Sequence, residues 1–152
     1  MFFKNLTPAF YQEASILKIS DIVQWKKQNN RYNFKSLPST VIINANIRHF
    51  NIKTQLLSKR IKGIAGKNYI LNKNLMITSG FGNGAPALLT LLEELKSLGV
   101  KNFIFIGFSG IISKNINEGK IYNINNAFSC NGCSSLYLDN DSDYNYTPKK
   151  NE

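Results

Sequence analysis

The chain has 152 residues, of which 43% are hydrophobic and 12% aromatic, and its formal net charge is +10. This length suffices for one domain that buries roughly two-thirds of the surface of its unfolded chain, and the composition argues against disorder. No apolar run approaches the ~20 residues of a membrane-spanning helix, and the first residues do not form a signal peptide. We therefore expect a cytoplasmic protein without a membrane partner.

The positive charge is spread along the chain. Sixteen lysines stand against only three arginines, and they form no dense tract. Nucleic-acid binding depends on clustered cations that displace counterions from phosphates. The pattern therefore favours a solvated lysine surface, and we expect no nucleic-acid partner.

The first elements are predicted from local signals. A helix is expected over residues 19–27, where Asp21 near the start and basic residues near the end both favour the helix dipole. The β-branched run 40–43 predicts the first core strand. Residues 68–71 and 75–78 flank a polar three-residue loop and predict a hairpin.

The most informative run begins at a glycine-rich turn, Gly82-Asn83-Gly84. Leucines at helical spacing follow, with Pro86 suited to the first helical position and Gly99 to the position just past the end. The continuous apolar run 103–106 predicts a strand covered on both faces. We expect the leucine face to pack on the sheet beside Phe103 and Phe105.

A second glycine-rich turn, 107–110, follows this strand, and the whole succession resembles the nucleoside phosphorylase superfamily. Members of that superfamily carry a G-x-G-G-P turn, an E-E-L helix, a G-T-T-G or G-S-C-G turn and a later G-D-V strand, which corresponds to 118–122 here. The resemblance implies an α/β fold, a three-layer αβα sandwich around a mixed, largely parallel sheet. The turns 82–84 and 107–110 should then lie close together at one edge, although both could also be simple tight connections.

The resemblance covers residues 40–137 and implies a single, incomplete domain over residues 1–152. Residues 1–39 form a helical segment before the family-like core, and residues 138–152 form a polar tail. Family members continue further and there carry the ribose-binding glutamates and the acid that protonates the leaving base. We therefore expect a chain truncated at its C-terminus, whose open sheet edge needs a partner.

The resemblance also implies the site residues. Substrate-binding positions would be Gly82, Asn83, Gly84, Gly107, Phe108, Ser109 and Gly110, and Arg48 would bind phosphate. The family's second phosphate-binding arginine corresponds to Phe105, and its hydroxyl corresponds to Phe108. The phosphate cradle is thus degenerate, and no catalytic residue is assigned.

The function implied is cleavage of the N-glycosidic bond of a nucleoside, by a pentosyltransferase or an N-glycosidase. We expect no cofactor and an inactive isolated chain. Phosphate would be a co-substrate if the reaction is phosphorolysis, and the sequence leaves phosphorolysis and hydrolysis open. The partners would be a nucleoside or nucleobase and a second chain carrying the C-terminal half, in a homo- or hetero-oligomer. The alternative is a non-catalytic remnant that binds a base or another subunit, and the sequence does not determine base preference.

Metal and redox motifs are weak. Cys130 and Cys133 have C-x-x-C spacing, but glycine and serine neighbours suggest a loop, and His49 is the only histidine. The acidic run 139–143 lacks the glycine and the final glutamate of a calcium loop. We expect two reduced structural thiols and no metal.

Overall fold

The structure is a computed structural model, and it describes residues 18–45, 58–113 and 115–125, with the backbone of residues 127–128 and 145–146. The chain divides into two compact units. One is Ser15–Ser109, and the other combines Met1–Ala14 with Gly110–Glu152.

The first unit contains the main elements of the described chain. They are helix α1 (Ile19–Gln28), strands β1 (Thr40–Asn44), β2 (Lys59–Ile61), β3 (Lys67–Ile70) and β4 (Leu75–Ser79), helix α2 (Ala85–Ser97) and strand β5 (Asn102–Ile106). The helix predicted over 19–27, the strand over 40–43 and the hairpin are therefore confirmed. Neither described helix has the length and apolarity that crossing a lipid bilayer requires.

The five strands form one mixed sheet in the order β2-β3-β4-β1-β5. β1 runs parallel to both of its neighbours, β4 and β5, while β3 pairs antiparallel with β2 and β4. The fold class is thus α/β, as predicted. Because β4 and β5 are joined through α2 and lie on opposite sides of β1, this connection crosses over β1.

A glycine lies on either side of helix α2. Gly84 precedes the helix with a φ of 86°, and Gly99 follows it with a φ of 96°, both in a region that other residues rarely adopt. Pro86 occupies the second helical position rather than the first, because the helix starts at Ala85. At either position its missing N–H has no intrahelical partner to lose.

The core lies between α2 and one face of the sheet. Leu91 and Leu95 are fully buried there and pack in one cluster with Val41, Ile43 and Met76. Each fully buried aliphatic side chain contributes about 1.5–3 kcal/mol. The leucine face of α2 therefore covers β1 and β4.

The leucine face of α2 packs on the sheet as expected, but the expectation that Phe103 and Phe105 take part in this packing is wrong. These residues are in register with Val41 and Ile43, so they share the helix-covered face, but their side chains are exposed and outside the core. The prediction that β5 is covered on both faces is also wrong, since all five of its residues are exposed. β5 forms the edge of the sheet, and a continuous apolar run does not specify which segment covers it.

The second unit contains one small antiparallel pair in its described residues, β6 (Ala127–Phe128) with β7 (Asn145–Tyr146). Residues 118–122 form no strand, in contrast to the G-D-V strand of the resemblance. Gly119 turns the chain with a φ of 72°, and the Tyr122 hydroxyl bonds to both the N–H and the carbonyl oxygen of Asn117. Local hydrogen bonds therefore close a turn here in place of a sheet ladder.

Candidate functional site

The carboxyl ends of three parallel strands meet at one edge of the sheet. β4 and β5 run parallel to β1 on either side of it, so the segments that follow them lie at the same edge. We call this edge, residues 44–45, 79–84 and 106–109, the carboxyl rim. Open α/β sheets bind ligands outside such edges.

The two glycine-rich turns lie at the same edge, as predicted, but they do not follow neighbouring strands. β1 separates β4 from β5, which places their ends roughly 10 Å apart, or two strand spacings. The carboxyl rim includes 107–109 of the second turn. Gly110 belongs to the second unit.

The first turn requires glycine for geometric reasons. Gly80, Gly82 and Gly84 have φ values of 62°, 120° and 86°. A Cβ on Gly82 would lie 3.0 Å from the Ala87 Cβ, so both conformation and space disfavour a side chain. The turn is solvent-exposed from Gly82 to Gly84, and it places the start of α2 at the carboxyl rim.

The second turn lies against the end of β1. A Cβ on Gly107 would be 3.2 Å from Phe105 Cε1 and 3.9 Å from Ala45 Cβ. Ala45 donates its N–H to the carbonyl oxygen of Ile106 across 3.1 Å. The start of this turn is therefore hydrogen-bonded to the end of β1. Phe108, further along the turn, is 79% exposed.

The described part of the carboxyl rim carries no charged side chain. Its side-chain hydrogen-bonding groups belong to Asn44, Ser79, Asn83 and Ser109. Phe105 and Phe108, the positions that the resemblance aligns with a guanidinium and a hydroxyl, are both apolar. Ser79 is buried, whereas Asn83 is exposed and can orient a polar ligand. None of the four residues supplies a general acid or base.

Several predicted positions lie outside the described residues. Arg48, the expected phosphate ligand, is among them, as are His49, Cys130 and Cys133. Within the described ranges, no group of three or more His, Cys, Asp or Glu residues could hold a metal ion.

Two buried side-chain oxygen atoms, one on β3 and one on β4, have no hydrogen-bond partner. Thr78 Oγ1 and Asn68 Oδ1 belong to a directly paired couple of residues on β4 and β3. Both atoms are inaccessible to solvent, so neither reaches a ligand at the carboxyl rim.

A polar cluster lies between the two helices, and the sequence analysis did not predict it. Lys26 Nζ donates to Glu94 Oε1 across 2.7 Å and to the Gly63 carbonyl oxygen across 3.0 Å. The Tyr32 hydroxyl donates to the same Glu94 oxygen across 2.8 Å. Burial, then the hydrogen bond and the charge of Glu94, raise the pKa of Tyr32 well above its ordinary value.

A signal for this cluster exists in the sequence. Glu94 lies three residues after Leu91 and next to Leu95, on the buried face of α2, where a carboxylate needs a cation partner. Because the cluster connects α1, α2 and the loop at Gly63, its role is structural. It includes none of the predicted site residues.

Two surface depressions occur beside α1, and neither includes a predicted site residue. One, of about 440 Å³, is lined by Ser20, Val23, Gln24, Lys27 and Ser97. The other, of about 300 Å³, includes Lys27, Tyr32, Lys35 and Leu98. Ser97 and Leu98 lie at the end of α2 opposite its start at the carboxyl rim.

Comparisons with protein families, with curated proteins and with solved structures found no match to this chain. A relationship to nucleoside phosphorylases therefore stays a prediction from the sequence motifs alone.

Proposed function

We propose that the chain forms part of a nucleoside phosphorylase-like or nucleosidase-like domain and that its carboxyl rim binds a nucleoside or a nucleobase. The observation that carries this proposal is the position of the two glycine-rich turns, at one sheet edge on either side of β1. The proposal includes a three-layer αβα arrangement, of which the sheet and the helices α1 and α2 would form two layers.

The chemistry of the carboxyl rim supports binding rather than turnover by the described residues. Cleavage of an N-glycosidic bond requires stabilisation of a cationic sugar and protonation of the leaving base. Asn83 is exposed in the first turn, and its side-chain amide can hydrogen-bond a base. The charged groups would come from elsewhere, including Arg48 for phosphate and a second chain that carries the sugar ligands and the proton donor.

Phosphate is the less favoured ligand of the described site. Its binding would depend on backbone N–H groups and on Arg48, because Phe105 and Phe108 provide no polar atom. Losing one preorganised electrostatic contact typically costs about 10²–10³ in rate, and losing a general acid costs about 10²–10⁴. We therefore propose that the isolated chain does not catalyse phosphorolysis.

A second candidate function is a non-catalytic module that binds a base or another subunit. The observation that favours it is the exposure of β5, an apolar strand at the sheet edge. In this case the glycine-rich turns would serve only as tight connections.

The first experiment measures binding of inosine, adenosine, uridine and the free bases by ligand-observed NMR. We expect saturation transfer to at least one of these ligands, and we expect Asn83→Ala to reduce it. Asn74→Ala is the matched control, because Asn74 lies in the exposed β3–β4 loop, at the amino end of β4. No binding of any ligand, or equal binding by both variants, would contradict a nucleoside site at the carboxyl rim.

The second experiment follows free-base release from the same nucleosides, with and without phosphate. We expect no release that depends on phosphate. Phosphate-dependent turnover by the isolated chain would contradict the degenerate cradle, and slow release without phosphate would indicate a nucleosidase.

A further inference from the structure

Strand β5, at one end of the strand order, exposes a continuous run of apolar side chains. The side chains of Phe103, Ile104, Phe105 and Ile106 are 37%, 47%, 55% and 51% exposed. No charged residue lies within Asn102–Ile106, and no proline or bulge interrupts it. Edge strands of soluble proteins usually carry such protection, so this strand is suited to pairing with another strand.

The hydrogen bonds to β1 show which backbone groups face outward. Asn102 donates its N–H to the Ser39 carbonyl oxygen across 2.9 Å, and the Ile106 carbonyl oxygen accepts from Ala45 across 3.1 Å. Since backbone direction alternates along a strand, the groups of Asn102, Ile104 and Ile106 face β1. The N–H and carbonyl groups of Phe103 and Phe105 therefore face away from it, and β5 has no neighbour on that side among the described strands.

This outward pattern is complementary to itself. If a twofold axis passes beside Ile104, Phe103 of one copy pairs with Phe105 of the other, and each pair exchanges two backbone hydrogen bonds. The two Ile104 residues then face each other as a pair without mutual backbone bonds, in which side chains approach closely. Every outward backbone group of Phe103 and Phe105 gains a partner.

The charges near the strand permit this arrangement. Lys101, immediately before β5, is the nearest charged residue in the sequence. In an antiparallel pair the two copies of Lys101 lie at opposite ends, roughly 20 Å apart, which exceeds the Debye length of about 8–10 Å at physiological salt. The two copies of Lys101 therefore add little direct repulsion at this contact.

We propose that β5 pairs antiparallel with β5 of a second copy about a twofold axis beside Ile104, forming one sheet continuous across both copies. The exposed side-chain surface of residues 103–106 amounts to roughly 400 Å² per copy, taking about 200 Å² for each side chain. The two copies together would bury at most about 800 Å², which is below the ~1,200 Å² of standard specific interfaces. The dimer is therefore weak and depends on concentration. The inference is independent of the proposed nucleoside site.

The test is sedimentation velocity on the full chain over a range of about 100-fold in protein concentration. We expect the parent to shift from monomer toward dimer as concentration rises. Ile104→Lys and Ile104→Glu each place two like charges at the twofold axis and should weaken the dimer about tenfold or more. Because Ile104 is half exposed in the monomer, both variants should keep the parent's circular dichroism spectrum.

The decisive measurement is sedimentation of a mixture of the two variants. Ile104→Lys and Ile104→Glu place opposite charges at the axis, so an equimolar mixture should form a heterodimer that neither forms alone. Ile121→Lys is the matched control, since Ile121 is fully exposed in the second unit, and it should dimerise like the parent. A parent that stays monomeric throughout, a dimer that survives both substitutions at position 104, or a mixture that stays monomeric would each overturn the proposal.

Discussion

The ammonium group of Lys26 donates a hydrogen bond to the carboxylate of Glu94 across 2.7 Å and thereby joins α1 to α2. Glu94 is almost fully buried, and the same oxygen also accepts the Tyr32 hydroxyl. One side chain on the leucine face of α2 thus holds two segments that precede the sheet in the chain. The attachment of α1 depends on this carboxylate.

Replacing Glu94 by alanine should lower the free energy of unfolding by about 3 kcal/mol, because it leaves a partly buried ammonium and a hydroxyl without an acceptor. Urea denaturation measures the effect. Glu93→Ala, at the adjacent and more exposed position, is the control and should cost about 0.5 kcal/mol. An unchanged urea midpoint for Glu94→Ala would show that the cluster does not stabilise the fold. In the triple variant Lys26→Met/Tyr32→Phe/Glu94→Leu, apolar side chains replace the cluster, and stability should recover substantially.

Stability should fall as the pH rises above the ordinary tyrosine pKa of about 10. Folding raises the pKa of Tyr32, so the folded state holds its proton more tightly than the unfolded state. The contribution of Tyr32 is therefore complete below pH ~10 and is lost as the pH rises toward the folded pKa. The readout is the difference in unfolding free energy between the parent and Tyr32→Phe, because contributions common to both proteins cancel in this difference. This difference should shrink from about pH 9 to about pH 11, and a constant difference would contradict the raised pKa.

Leu95→Asp should destabilise the first unit by several kcal/mol, on the order of 4, since it places an unpaired charge in a fully buried position. Leu92 is only partly buried, and Leu92→Asp should cost less. Thr90→Asp, on the exposed face of the same helix, is the control and should change stability by about 0.5 kcal/mol. Thermal unfolding of the three variants compares them directly. Equal melting temperatures for Leu95→Asp and Thr90→Asp would exclude the proposed orientation of α2.

Gly82→Ala should lower the free energy of unfolding by about 1–2 kcal/mol, because a residue with a side chain adopts its positive φ only with strain. The close approach to Ala87 adds to this cost. Gly110→Ala is the matched control: its φ is not in the left-handed region, and no atom lies within 4 Å of the added Cβ. Urea denaturation should give Gly82→Ala a clearly lower free energy of unfolding than Gly110→Ala. The opposite ranking would mean that the first turn does not need its observed backbone.

Most elements of the first unit could be predicted from the sequence because their signals are local, whereas the short strand β2 was not predicted. Asp21 and the two lysines near the end of α1 mark the ends of that helix, and the β-branched run beginning at Thr40 specifies β1. Leucine spacing and the terminal glycine specify α2. The common edge of the two glycine-rich turns was also predictable, because parallel strands place their carboxyl ends together. The strand expected over residues 118–122 was not found, because that prediction came from the resemblance and the segment is closed by local hydrogen bonds to Tyr122.

Only the tertiary structure decided which strands became neighbours. β1 lies between β4 and β5, so the apolar strand 102–106 is at the sheet edge and its phenylalanines are outside the core. The pairing of Lys26 with Glu94 likewise joins residues that are 68 positions apart. The sequence by itself determined the two helices, the strands β1, β3, β4 and β5 and the glycine-rich turns, because periodicity and capping act within a few residues. Strand order, burial and ion pairing depend on contacts between distant segments, and no local pattern encodes which segments meet.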